Sequence, residues 1–96
     1  MDVRHAIAPG VILQETGREG LAFDLQRDAY FALNATATAI WLYLESVGGA
    51  TEHEIVTHTA SRFAVERDIV HRDVQALLAQ WARDGLITTA KREDPA

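Results

Sequence analysis

Residue 34 divides the chain between two kinds of periodicity, and that switch constrains the fold more than any other feature. Before it, apolar and β-forming residues alternate with polar ones over residues 10–16, 20–26 and 29–33. After it, apolar residues recur every three or four positions, at Ala37, Ile40, Trp41 and Leu44. A period of two belongs to half-buried strands, and a period near 3.6 to an amphipathic helix. Asn34 itself is a favourable N-cap, because its side chain accepts from the free amides of a helix's first turn. The strand segments are separated by Gly17-Arg18-Glu19-Gly20, where glycine supplies positive φ for a hairpin turn, and by the polar break Gln26-Arg27-Asp28. Three short strands in succession predict an antiparallel meander, with Tyr30 and Ala32 on one face of the last strand and Phe31 and Leu33 on the other. That last strand is an edge unless another element covers it, and an edge offers unpaired backbone groups to an incoming chain.

Gly48-Gly49 ends the first helix. Thr51-Glu52-His53-Glu54 fits the capping box and opens a second helix to about residue 62, its inner side marked by Ile55 and Thr59 with Phe63 just beyond. The third helix is the longest, over residues 66–84, with Val70, Val74, Leu77, Leu78 and Trp81 as its apolar stripe and Gly85 as its terminator. Residues 86–89 either add a short strand or dock, and the charged residues 90–96 read as a frayed tail. Strands followed by helices predict an α+β fold: a three-stranded antiparallel meander followed by a three-helix bundle, winged-helix-turn-helix-like. One domain accounts for residues 1–96, with 8–89 as its ordered part.

A net charge of −5, from nine basic and fourteen acidic residues with Lys91 the one lysine, disfavours a phosphate backbone as partner. Arg83, Lys91 and Arg92 read as a solvated end rather than a binding face. The chain has no cysteine, so burial alone must hold the fold. The opening residues 1–9 lack the apolar run of a secretion signal, and no stretch approaches the roughly 20 apolar residues that span a bilayer. A cytoplasmic protein without a membrane partner is the expectation.

Catalytic and metal chemistry find little support. His53 and His58 are five residues apart, about 140° around a helix, which makes shared metal ligation awkward; His5 and His71 stand alone. Glu52 with Glu54, and Asp68 with Asp73, read as solvated faces rather than acid–base pairs. Val47-Gly48-Gly49-Ala50 lacks the strand and lysine of a phosphate loop. The expectation is no enzyme, no metal and no cofactor. Among the aromatic residues, Trp41 and at least one of Tyr30 and Phe31 are expected in the core, while Trp81 suits either the core or a groove beside the third strand.

Tyr30-x-x-Leu33-Asn34, with Trp41 seven residues after the asparagine, resembles the PqqD-like family, the leader-binding domains called RiPP recognition elements. The resemblance runs over residues 8–87. It continues through the two opening strands, the break at residues 48–51, Asp73 with Leu77 and Leu78, and Gly85-Leu86. In that family, the leader of a ribosomally made precursor pairs as an added strand, and its apolar side chains enter a groove between the third strand and the last helix. The resemblance therefore implies a peptide site of Ala29, Tyr30, Phe31, Ala32 and Leu33 with Val70, Asp73, Val74, Leu77, Leu78 and Trp81. The Tyr-x-x-Leu-Asn form is more similar to the free-standing recognition proteins of lasso-peptide pathways, which deliver a precursor to a leader peptidase and a cyclase. Pyrroloquinoline quinone carriers, which work with a radical SAM enzyme, are the nearest alternative. A winged-helix DNA-binding regulator is a second, although Glu66, Asp68, Asp73 and Asp84 against Arg67, Arg72 and Arg83 make the last helix too acidic for a major-groove reader. A small partner of a radical enzyme that holds no peptide is a third.

Overall fold

The computed structural model describes residues 3–91. In chain order it contains β1 (Val3–Ile7), β2 (Val11–Thr16), β3 (Glu19–Asp24), β4 (Ala29–Leu33), α1 (Ala35–Val47), β5 (Ala50–Thr51), α2 (Glu52–Phe63), α3 (Arg67–Asp84) and β6 (Ile87–Lys91). The fold is α+β, and the meander stands as expected, with sheet order β2-β3-β4. Its first turn is tighter than the sequence suggested. Thr16 pairs with Glu19, so Gly17 and Arg18 alone make the turn and Gly20 belongs to β3, opposite Glu15. A Cβ on Gly20 would lie 2.8 Å from Leu13 Cδ1 and 3.3 Å from Thr38 Oγ1. Glycine is therefore placed there for the close approach of α1 to the sheet, not for a turn.

A second sheet stands beside the expected meander. β1 is its centre, flanked by β5 and β6 in the order β5-β1-β6. Arg4 pairs with Thr51 on one side, and Val3 to Ile7 pair with Lys91 to Ile87 on the other. The ordered part thus starts before residue 8 and runs through Lys91; the rest of the expected tail, residues 92–96, lies outside the described residues. Every residue of β1 is half-buried, so the segment shows no alternation to read. With the N-terminal strand sealed in this way, winged helix is only a loose description.

The helices follow their end signals. Asn34 Oδ1 accepts from the Ala37 amide at 2.9 Å, and Gly48 at φ 74° closes α1. Thr51 and Glu54 form the capping box, with bonds of 3.2 and 2.9 Å. α3 begins at Arg67, behind a Glu66 that makes no side-chain cap, and ends at Gly85 in the left-handed region at φ 75°. Ile40, Trp41 and Leu44 of α1 pack with Ile55 and Val56 of α2 and with Val70, Val74, Leu78 and Trp81 of α3 in one core. Each such side chain contributes about 1.5–3 kcal/mol by leaving water. Trp41 and Trp81 meet edge to face, with centroids 5.3 Å apart and planes at 78°. That geometry adds roughly 0.5–1.5 kcal/mol beyond burial.

Candidate functional site

β4 is the terminal strand of its sheet. β3 covers one side, and no strand pairs the other among the described residues. Backbone groups alternate in direction along a strand, so half of those in β4 point away from β3 as unused donors and acceptors. Side chains alternate as well. Phe31 is half-buried and Leu33 buried on the helix side, whereas Tyr30 is 69% exposed on the outer face. Of the two aromatic residues, Phe31 is therefore the one that joins the core.

Between this edge and α3 lies a cavity of about 430 Å³, bordered by Tyr30 to Leu33 on the strand side and by Leu77, Gln80, Trp81 and Asp84 on the helix side. Asn34, Ala37 and Leu86 complete it. A neighbouring cavity of about 370 Å³ continues along α3 past Leu77, Val74, Asp73 and Val70 to Phe63 and Val65. Asn34, Ala37 and Leu77 line both, so the two form one groove. Its lining is mainly apolar, and its charged members, Asp73 and Asp84, are both carboxylates.

The structure brings together nine of the residues expected at the site: Tyr30, Phe31, Ala32 and Leu33, and Val70, Asp73, Val74, Leu77 and Trp81. Ala29 and Leu78 line neither cavity. Leu78 points into the core at 4% exposure, one helical position away from the groove stripe. Trp81 is both core and groove: at 4% exposure it packs on Trp41 while its remaining surface borders the larger cavity. Asn34, Ala37, Gln80, Asp84 and Leu86 of the first cavity, and Thr36, Ile40, Thr59, Phe63 and Val65 of its neighbour, were not anticipated. Gln80 and Asp84 stand three and seven positions beyond Leu77, a spacing that places them on its face; being polar, they leave no mark in an apolar periodicity.

Polar bonds fix the far end of α3. Gln80 Nε2 donates to both Asp84 carboxylate oxygens, at 3.2 and 3.1 Å, and Arg83 Nη2 donates to Gln80 Oε1 at 2.8 Å. Elsewhere, burial lowers the pKa of His5, opposed in part by the charge of Glu52. The backbone and hydroxyl bonds from Thr51 lower that of the exposed Glu54. Among the described residues, no three His, Cys, Asp or Glu side chains come together as metal ligands, and no helix is long and apolar enough to cross a membrane.

This order and packing of elements recurs in known proteins. The model of the coenzyme PQQ synthesis protein D family (PqqD) matches residues 19–87. The chain belongs to the PqqD family. Among solved structures, TbiB1 in complex with the TbiA(beta) leader peptide is 27% identical, with a TM-score of 0.78, covering 92% of this chain and 99% of that one. A lasso peptide synthetase B1 complexed with its leader peptide is 23% identical, with a TM-score of 0.73, covering 88% and 96%. The second likeness establishes shared fold alone. No curated protein matches significantly. PqqD membership agrees with the resemblance carried by Tyr30, Leu33, Asn34 and Trp41, all of which fall inside the matched span.

Proposed function

We propose that the protein captures the leader segment of a ribosomally synthesised precursor by strand addition and performs no covalent chemistry itself. The leader lies along the outer edge of β4, and its apolar side chains enter the groove against α3. The single observation that carries this reading is the unpaired β4 edge bordering a continuous apolar groove. Main-chain bonds to the edge supply affinity, and pockets for alternate side chains supply selection. The 27% identity to TbiB1 over nearly the whole of both chains supports a place in a lasso-peptide pathway. There the captured precursor passes to a leader peptidase and a cyclase in the cytoplasm.

Strand addition with one or two buried anchors yields roughly 8–11 kcal/mol after ordering costs, a Kd from nanomolar to low micromolar. Isothermal titration with synthetic leader peptides, TbiA(beta) first, tests this, with the core segment of the same precursor as control. Heat from the core segment and none from any leader overturns the proposal. Proton–nitrogen shifts should move at Ala29–Leu33 and along Val70 to Trp81. Shifts confined to α2 would put the site on another face.

A further inference from the structure

The two walls of the groove come from distant parts of the chain, and one side chain ties them together at one end. The turn after β3 is built on the buried Asp24, whose Oδ1 accepts from the amides of Gln26 at 3.1 Å and Arg27 at 3.2 Å. With its backbone so fixed, Arg27 spans two groups: Nε lies 3.5 Å from Asp24 Oδ2, and Nη1 donates to the Asp84 carbonyl at 3.1 Å. That carbonyl belongs to the last turn of α3, where carbonyls lack helical partners and the helix dipole favours a cation. The approach is close enough to constrain the next residue. A Cβ on Gly85 would lie 2.5 Å from Arg27 Nη2 and 2.9 Å from Cζ, so a larger residue would displace the flexible guanidinium, while the positive φ of 75° is what favours glycine there. Asp84, the anchor on the helix side, lines the cavity together with Gln80 and Trp81.

We infer that Arg27 is the positioning residue of the groove, a strap from the β3–β4 turn to the C-terminal end of α3 that sets the separation of strand edge and helix. Its role in binding rests on the peptide reading above. An added strand must sit about 4.8 Å from β4 while its side chains reach α3, so a gap free to vary transfers an ordering cost to the binding step. Arginine suits this strap because its broad guanidinium donates to the Asp84 carbonyl while staying within ion-pair distance of Asp24; the point charge of lysine serves one anchor or the other.

The absence of cysteine allows two labels to be placed uniquely. Spin labels on Gln26→Cys and Ala82→Cys report the distance between the walls, measured with Arg27 intact, with Arg27→Ala, with Arg27→Lys and with Arg83→Ala. The last removes the same charge from α3, and among the described residues its hydrogen bond goes to Gln80 of its own helix. The unlabelled proteins are titrated with the TbiA(beta) leader peptide, and melting is followed in all of them. Arg27→Ala is expected to roughly double the width of the distance distribution and to weaken the peptide about tenfold, with melting little changed, Arg27→Lys intermediate and Arg83→Ala like the parent. An unchanged distribution, an equal effect of Arg83→Ala, or full affinity despite a broadened distribution overturns the inference. A broadened distribution in a protein whose parent binds no leader peptide leaves the strap standing and removes the peptide reading instead.

Discussion

The two sheets each have three strands and join different parts of the chain. In β5-β1-β6 the central strand is paired on both sides, by residues 50–51 and 87–91, and the seam continues where the Ala8 amide donates to the Leu86 carbonyl at 2.9 Å. In β2-β3-β4 each strand pairs with its neighbour in sequence, and the last ends beside a groove. The first sheet joins remote segments, and its loop-closure entropy must be offset by burial around Leu86 and Ile87. The second needs only short turns, and among the terminal strands of the two sheets it is β4 that borders the groove shared with α3. The proposed peptide site thus lies at the end of a locally built element, away from the seam where distant segments meet.

That division can be broken most directly at the seam. Ile87 is buried where β6 begins and lines neither cavity, and Ile87→Ala should cost about 2–5 kcal/mol in denaturant unfolding while the protein that remains folded keeps its leader affinity. A loss below about 1 kcal/mol would show that the seam is not where stability resides. Leu77, half-buried and lining both cavities, belongs to both regimes. Leu77→Ala should cost about 1–2 kcal/mol of stability and weaken the peptide about tenfold, seen by melting and titration on one sample.

Proline scanning of β4 sharpens the comparison. Amide direction alternates along the strand, so Ala29→Pro and Ala32→Pro affect opposite sides. One should break a bond to β3 and lower the melting temperature. The other should leave melting nearly unchanged and cost about 1 kcal/mol of peptide binding through one lost edge bond. If the variant that melts normally also binds normally, the leader does not use this edge.

Acid should act on the sealed sheet first. Among the described residues, the buried Nδ1 of His5 in β1 finds no partner, and burial lowers the folded pKa below the ordinary 6.5. The unfolded chain therefore binds the proton more readily. Stability is complete above 6.5 and is lost as pH falls through the lower folded value. Melting at pH 5.5 should fall below that at 7.5, and His5→Asn should flatten the difference; an equal fall in the variant would assign the effect to another group. Glu54 adds a loss of the same sign, but only below its ordinary 4.5. The smallest effect is expected at the groove rim. Asp73 is exposed, so Asp73→Asn should weaken a leader carrying basic residues a few-fold at most, within about 1 kcal/mol, and only at low salt.

The elements with local signals are written in the sequence. Asn34, the Thr51–Glu54 box, Gly48 and Gly85 mark helix ends through bonds made within a turn, and the meander follows from alternation broken by polar turns. The edge character of β4 was legible for the same reason, since it is simply the last strand before the period changes. Tertiary structure decided what depends on remote partners. β1 pairs with residues 45 and more positions away, and its uniform half-burial erases the alternation that would announce a strand. Gly20 is fixed by Leu13 and Thr38, and Leu78 was set in the core, off the groove face, by the rotation of α3 against Trp41. Arg27 reads in sequence as one charge in a polar turn. Its function as a strap exists only because folding brings the Asp84 carbonyl, 57 residues on, within 3.1 Å of its guanidinium.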